Sequence, residues 1–150
     1  VIQSGYGIKL VSADDEKASS FNLTLQEENH DKIKKVIEIY LQSFAGRDIN
    51  SMMSQVLRNY LEKTENAVLD YNEFQAEMKD LLTRFVDISL SEIKMDAMDV
   101  LNDKAVVNVE HRFKAFNLDK LVSIDKVIRL QLILAREEES WKIVSRNRIR

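Results

Sequence analysis

The spacing of apolar residues predicts helices in the first half of the chain. Thr24 and Glu27 have the spacing of a capping box, in which each side chain accepts a hydrogen bond from the other residue's backbone, so a first helix is expected to begin at Thr24. Apolar residues then recur every three or four positions until Gly46, a residue suited to the left-handed turn that ends many helices. This stripe consists of Ile33, Val36, Ile37, Tyr40, Leu41 and Phe44.

Two further caps predict two further helices. Asp48 precedes a shorter apolar stripe that runs from Ile49 to Tyr60. Asp70 and Glu73 repeat the capping-box spacing and are followed by a third stripe, which consists of Phe74, Met78, Leu81, Leu82 and Phe85. Three helices are therefore expected before any long strand.

From Val86 onward the period of the apolar positions changes from near 3.6 to two, and β-branched residues become frequent. This pattern predicts four strands, near residues 87–100, 104–116, 122–136 and 141–149. The sheet is expected to be mainly antiparallel, so the fold class is α+β.

Opposite charges suggest a register for the first long hairpin. A loop of three residues, 101–103, would place Glu92 opposite Arg112 and Lys94 opposite Glu110, with both pairs on one face. A two-residue loop would instead mix charged side chains into the apolar face. The three-residue loop is therefore the prediction.

Regular alternation in the last strand predicts two distinct faces. The inner face would carry Trp141, Ile143, Ser145, Asn147 and Ile149, and the outer face Lys142, Val144, Arg146, Arg148 and Arg150. The outer arginines could meet phosphate or anionic lipid, but they lack interleaved aromatic residues and the chain has a net charge of −3. A solvated strand face is favoured, and no nucleic-acid partner is expected.

Composition excludes several classes of protein. The chain of 150 residues contains no cysteine, so it has no disulfide and no cysteine metal site. Its apolar runs are far shorter than the roughly 20 residues that cross a bilayer, so no transmembrane segment is expected. Because no P-loop, dinucleotide fingerprint, nucleophile elbow or zinc spacing occurs, no cofactor is predicted.

The first 23 residues are predicted to form an N-terminal arm to a single domain over residues 24–150. They combine a brief strand-like run with a polar linker rich in Ser, Asp and Ala. Because the chain begins at Val1, it is interpreted as trimmed at its N-terminus, where a signal peptide or lipid anchor could have been removed, and this favours an extracytoplasmic location in a bacterial envelope or outside the cell.

Residues 26–150 resemble the nuclear transport factor 2-like superfamily in four segments: "SFAGRDINSMMS", "YNEFQAEMKDLLTRF", "LNDKAVVNVEHRF" and "EEESWKIV". The resemblance implies the cone fold of SnoaL-like and ketosteroid-isomerase-like proteins. In that fold three N-terminal helices pack in the concave face of a curved sheet of four to six strands, leaving a pocket at the wide end. Members often dimerise through the outer sheet face, and they include both enzymes and binding proteins, so the resemblance implies no catalytic residue.

Four polar residues are predicted to point into this pocket and to orient a ligand: Tyr40, His111, Ser145 and Asn147. A neutral imidazole at His111 could act as a general base beside a carboxylate. No carboxylate is assigned to the same face, so a core histidine that hydrogen-bonds a neighbour is the favoured interpretation.

Glu27 and His30 have the Glu-x-x-His spacing that di-metal helical proteins use. One copy is too few for such a site, and the other histidine lies on a predicted strand. Acidic residues opposing a helix N-terminus are the favoured interpretation, and no metal site is predicted.

These features favour a non-enzymatic domain that binds a small apolar ligand or a protein partner. It is expected to form a homodimer through the outer sheet face, where Val127, Ile133 and Val144 lie. One alternative is a cofactor-independent isomerase, dehydratase or hydrolase that uses His111 with Tyr40 or an unassigned Asp. Another is an accessory domain of a cell-envelope assembly, with the arm and the arginine face as contact surfaces.

Overall fold

The computed structural model describes the backbone of residues 13–149 and the side chains of residues 26–149. The chain divides into two compact units, residues 1–31 and residues 32–150. The described part of the first unit is helical, and the strands that the structure describes lie in the second unit. None of the described helices is both long and apolar enough to cross a membrane.

Helix α1 (Ala13–Ala45) begins upstream of the predicted capping box, so the prediction that it starts at Thr24 is wrong. The residues before Thr24 include Ala, Glu and Lys, which are favourable in helices. Capping-box spacing alone does not interrupt a helix that has already begun. Residues 1–12 of the predicted arm lie outside the described residues.

The end of α1 differs from the prediction in one residue. The left-handed backbone belongs to Arg47, with φ of 63°, and not to Gly46. A side chain at Gly46 would approach the Gln42 carbonyl oxygen to 3.3 Å, so the glycine permits a close backbone approach. The Arg47 guanidinium donates hydrogen bonds to the carbonyls of Leu82 and Phe85, which fixes the turn against the end of helix α3 (Tyr71–Arg84).

Helix α2 (Ile49–Met53) is shorter than its apolar stripe predicts, because the chain leaves the helix to pair with the last strand. The backbone N–H of Leu57 donates to the Ile143 carbonyl at 2.9 Å, and the N–H of Ile143 donates to the Gln55 carbonyl at 2.8 Å. The downstream apolar residues of the stripe, Val56, Leu57 and Tyr60, are nevertheless buried.

A short hairpin follows, which the sequence did not predict. Strands β1 (Leu61–Lys63) and β2 (Val68–Asp70) pair antiparallel, and residues 64–67 form the turn between them. The capping box at the start of α3 is confirmed: the Asp70 side chain accepts from the Glu73 N–H at 2.9 Å, and the Glu73 side chain accepts from the Asp70 N–H at 3.1 Å.

Four long strands form one antiparallel sheet in the order β3, β4, β5, β6, which confirms the predicted α+β fold. They are β3 (Phe85–Leu101), β4 (Lys104–Asn117), β5 (Val122–Glu137) and β6 (Ser140–Ile149). Their inner face packs on the helices around a core that includes Ile37, Met52, Phe74, Val107, Leu132 and Ile143.

Three β-bulges curve strand β3. At each bulge two residues of β3 lie opposite one residue of β4, and the single residues are Ala115, His111 and Val107. The first residue of each bulge has a left-handed backbone: Asp87, Glu92 and Ala97, with φ of 53°, 52° and 47°. An extra residue on one strand bends it and increases its twist, so the repeated bulges curl the edge of the sheet.

The bulges also explain the outcome of the register prediction. The hairpin loop contains two residues, Asn102 and Asp103, with Leu101 opposite Lys104, so the predicted three-residue loop is wrong. Lys94 nevertheless lies opposite Glu110, as predicted, because the bulge between Asp96 and Asp99 shifts the register by one residue.

A further bulge in β6 overturns the predicted alternation of that strand. Ile133 pairs with Ser145 while Leu134 pairs with Ile143, so Val144 is an extra residue. Beyond it the inward parity changes: Arg146 pairs with the buried Leu132, and Arg148 pairs with the buried Leu130. The predicted solvated face of Lys142, Arg146, Arg148 and Arg150 is therefore not formed, and Arg150 lies outside the described residues.

The left-handed bulge residues generate a stability prediction. Ala97→Val should lower the free energy of unfolding by roughly 1–2 kcal/mol, because a β-branched side chain is strained at positive φ. Ser89→Val is the matched control, since Ser89 is also exposed on β3 and lies outside the left-handed region. Urea denaturation of both variants measures the difference, and equal stabilities would contradict the assigned bulge.

Candidate functional site

A cavity of about 670 Å³ lies between the helices and the inner face of the sheet, within residues 32–150. Its wall is largely apolar and includes Leu41, Phe44, Met78, Leu81, Phe85, Leu90, Phe113, Ile128 and Leu130. Small-molecule sites have volumes of roughly 300–1,000 Å³ and walls of this character. The cavity is therefore large enough for a small organic ligand.

Exposed polar side chains mark the mouth of the cavity. They belong to the β1–β2 hairpin and to strands β5 and β6, and they are Lys63, Thr64, Glu65, Asn66, Lys126, Asn147 and Arg148. Because the remaining lining side chains are mostly buried or half-buried, solvent reaches the apolar wall past these residues.

A buried polar network forms part of the cavity wall. Glu62 Oε1 accepts a hydrogen bond from the Tyr60 hydroxyl at 2.6 Å and another from Arg146 Nε at 2.8 Å. The Arg146 guanidinium carbon also lies 4.9 Å from the centre of the Phe74 ring, which stacks on Tyr60. Tyr40 lines the cavity beside this network.

The network keeps its charges paired and its phenols protonated. Burial raises the pKa of Tyr60 well above its ordinary value, and the hydrogen bond to Glu62 adds to this effect. Burial also raises the pKa of Tyr40, against the opposing charge and hydrogen bond of Arg146. Burial alone would lower the pKa of Arg146, but interaction with Tyr40, Glu62 and Tyr60 raises it, so the guanidinium remains charged.

His111 is a separate polar point in the wall. It is 4% exposed, lies opposite the middle β3 bulge and pairs with Ile128 on β5. Its Nδ1 atom makes no hydrogen bond within the part of the chain that the structure describes. Burial lowers the pKa of His111, so the imidazole is neutral at pH 7. His111 therefore contributes a buried, uncharged polar side chain to the cavity wall.

Three of the four predicted site residues line this cavity: Tyr40, His111 and Asn147. The Asn147 amide, however, donates to Gln131 Oε1 at 3.3 Å. Ser145 does not line the cavity, because it follows the β6 bulge and pairs with Ile133 on the outer face of the sheet.

Sequence reasoning missed Glu62 and Arg146. Glu62 lies in a polar segment that reads as a loop, and Arg146 follows a bulge that no glycine or proline marks. Regular alternation would place the three basic residues of this strand on one outer face, so no signal in the sequence marks the inward turn of Arg146. The paired acid could not be identified without the hairpin either.

The outer sheet face carries a ladder of ion pairs. Arg112 holds Asp125 with two hydrogen bonds of 2.8 Å and reaches Glu92 at 3.4 Å. Glu110 accepts from Arg129 at 2.9 Å and lies 4.0 Å from Lys94. Lys94 therefore pairs with Glu110 as predicted, whereas Ser91 and not Glu92 lies opposite Arg112, and Glu92 reaches Arg112 from its bulge position.

The described residues contain no group of three or more His, Asp or Glu side chains that could hold a metal ion. Glu27 and His30 both lie on α1, and the spacing motif acquires no further ligand among the side chains of residues 26–149.

Comparisons with known proteins concern the fold more than the sequence. No protein-family model matches the chain. COP9 signalosome complex subunit 2 of Caenorhabditis elegans is 27% identical over 108 residues, which are 72% of this chain and 20% of that protein. The chain thus spans about a fifth of the length of that curated relative, and this similarity does not assign it to a family.

Solved structures are similar over most of their length. A conserved protein from Planctomyces limnophilus superposes with a TM-score of 0.71 at 14% identity, covering 82% of this chain and 99% of that one. A nuclear transport factor 2-like superfamily protein from Salmonella enterica has a TM-score of 0.67 at 18% identity, covering 85% and 92%. A putative dehydratase of the same family from Streptomyces avermitilis has a TM-score of 0.67 at 12% identity, covering 81% and 96%.

The helices, the curled antiparallel sheet and the cavity between them define a nuclear transport factor 2-like fold, and these structural similarities confirm the predicted resemblance at the level of the fold. At such low sequence identities, the structural similarity gives no information about the activity of this protein.

The buried ion pair generates a stability prediction. Glu62→Gln should lower the free energy of unfolding by roughly 2 kcal/mol, because Arg146, whose side chain is 21% exposed, would keep its charge without its counter-charge. Glu110→Gln is the matched control, since Glu110 accepts from Arg129 at 2.9 Å on the outer face, where an exposed pair contributes about 1 kcal/mol or less. Urea denaturation measures both variants, and equal losses would show that Glu62 and Arg146 are not a buried pair.

Proposed function

We propose that this domain is a non-enzymatic binding module whose cavity holds a small apolar ligand. The observation that carries the proposal is an open cavity of about 670 Å³ with a largely apolar wall. His111 adds one buried polar side chain to this wall. A ligand of matching shape would remove the apolar wall from water.

The enzymatic alternative requires a base that a neighbouring acid orients. His111 is neutral and buried, and no described carboxylate or phenol bonds its Nδ1. The Tyr40 side chain interacts with Arg146, and burial holds its pKa above the ordinary value. An imidazole without an orienting partner is half of a general-base mechanism, so these contacts favour binding over an isomerase, dehydratase or hydrolase reaction.

The cell-envelope alternative rested on the N-terminal arm and on an arginine face of β6. Arg146 is bonded to Glu62 inside the molecule, so it is not available to such a face. No described contact favours this alternative over ligand binding.

A cavity-filling variant tests the proposed function. The neutral dye N-phenyl-1-naphthylamine should bind the wild-type protein and fluoresce in the apolar cavity. Ile128→Trp should weaken its binding by roughly tenfold or more, because the indole would occupy the space next to His111. Lys114→Trp adds the same side chain at an exposed position on β4 and is the control. A dye that does not bind, or binds both variants equally, would contradict the proposal.

We also propose that two copies of the domain pair through the outer sheet face. Val127 is 52% exposed there, beside the ion pairs of Arg112 and Arg129, while Ile133 and Val144 are half-buried. Protein interfaces have an apolar centre and a polar rim, so Val127 would lie at the centre of the contact and the ion pairs at its rim.

Sedimentation equilibrium tests the pairing. The wild-type protein should form a dimer, and Val127→Lys should raise its dissociation constant by roughly tenfold or more, because a buried cation would replace an apolar contact. Val122→Lys makes the same change at a residue 46% exposed near the start of β5 and should leave the dimer intact. A monomeric wild-type protein would refute the pairing.

A further inference from the structure

The charged side chains around the cavity fall into two groups. Inside, Glu62 neutralises Arg146 through a hydrogen bond of 2.8 Å. At the mouth, the charged side chains among residues 26–149 are those of Lys63, Lys126 and Arg148, which are positive, and that of Glu65, which is negative. The mouth therefore has a positive balance, although the whole chain has a net charge of −3.

Arg148 differs from the other arginines that the structure describes. Arg84, Arg112, Arg129, Arg136 and Arg146 form ion pairs, Arg47 donates to two backbone carbonyls, and Arg58 lies over the Tyr71 ring. Arg148 has no such partner among residues 26–149, and neither do Lys63 and Lys126. A planar guanidinium with free donors is well suited to hold a carboxylate or phosphate.

The sheet register places this arginine beside the apolar wall. Arg148 pairs with Leu130, two positions along β5 from Ile128, the partner of His111. Strand spacings of about 4.8 Å and rises of about 3.3 Å put the Cα atoms of Arg148 and His111 roughly 12 Å apart. Lys126 lies opposite Phe113 at the other side of the same wall. One small molecule can therefore lie on the apolar wall with its charged end at the mouth.

We infer that the cavity selects an apolar molecule with one oxyanion group, carboxylate or phosphate, which Arg148 binds at the mouth with support from Lys63 and Lys126. This inference rests on the proposed function and adds the charge of the ligand. Charge complementarity at the mouth also speeds the capture of anions and disfavours cations.

Ligands with twelve-carbon chains and different head groups test the inference. Each ligand is added below its critical micelle concentration, and its displacement of N-phenyl-1-naphthylamine is measured. Dodecanoate and dodecyl phosphate should each bind roughly tenfold or more tightly than dodecan-1-ol, because a charge-assisted hydrogen bond is added. Dodecyltrimethylammonium should bind most weakly. Preference for one of the two anions identifies the oxyanion.

Variants show which cation is responsible. Arg148→Gln should remove most of the advantage of dodecanoate over dodecan-1-ol while leaving the affinity for dodecan-1-ol unchanged. Arg129→Gln removes an arginine from the outer side of the neighbouring strand, 56% exposed, and controls for the loss of net charge. Circular dichroism verifies that both variants fold.

The possible failures are distinguishable. If the neutral dye and dodecan-1-ol bind but head-group charge makes no difference, or if Arg148→Gln and Arg129→Gln behave alike, the inference is wrong and the proposed function stands. If neither the dye nor any dodecyl ligand binds, the proposed function is wrong and the inference falls with it.

Discussion

The buried contact between Glu62 and Arg146 connects the parts of the molecule that form the cavity. Arg146 comes from the last strand and Glu62 from the short β1–β2 hairpin, and they meet at 2.8 Å beside Tyr60 and Phe74. A buried ion pair adds little net stability compared with apolar residues of the same size, but either charge alone would be costly to bury. The pair therefore acts mainly as a constraint. Once Arg146 points inward, the hairpin must place the Glu62 carboxylate against it. The turn of the same hairpin then forms one side of the cavity mouth.

Arg146 points inward because of irregularities in the sheet. The extra residue at Val144 changes the parity of β6, so its first half presents Trp141 and Ile143 to the core and its second half presents arginines. The bulges of β3 bend the opposite edge, and each places a non-glycine residue in the left-handed region, a conformation that costs about 1 kcal/mol or more. Packing on the helices offsets this cost, and the curled sheet encloses a volume that a flat sheet would leave open. The features that weaken the sheet locally are those that create the cavity.

Much of this architecture could be predicted from the sequence because it follows from periodicity. The 3.6-residue stripe through Ile33 and Ile37, the capping box at Asp70 and the two-residue alternation of β4 each report a local preference that the tertiary structure keeps. The register at the centre of β3 and β4 could also be predicted from the sequence. Pairing Lys94 with Glu110 on the outer face also places apolar residues on the inner face.

The missed features are those that tertiary contacts decide. The early end of α2 depends on the hydrogen bonds that Gln55 and Leu57 form with Ile143. The β6 bulge at Val144 directly follows this contact. Because a single extra residue reverses every inward position beyond it, one unrecognised bulge exchanged the roles of Ser145 and Arg146 in the candidate site. His111 lies on β4 and Tyr40 on α1, so their predicted positions in the cavity wall did not depend on the β6 bulge.

The inward position of Arg146 is the central claim, and nuclear magnetic resonance of the side chains tests it most directly. The Arg146 Hε signal should show nuclear Overhauser contacts to the ring protons of Phe74 and Tyr60, with a chemical shift altered by the aromatic rings and slow exchange with water. If instead the side chain of Ser145 contacts Phe74 while Arg146 Hε exchanges as fast as in an unfolded peptide, strand β6 alternates without a bulge, and the account of the cavity is wrong.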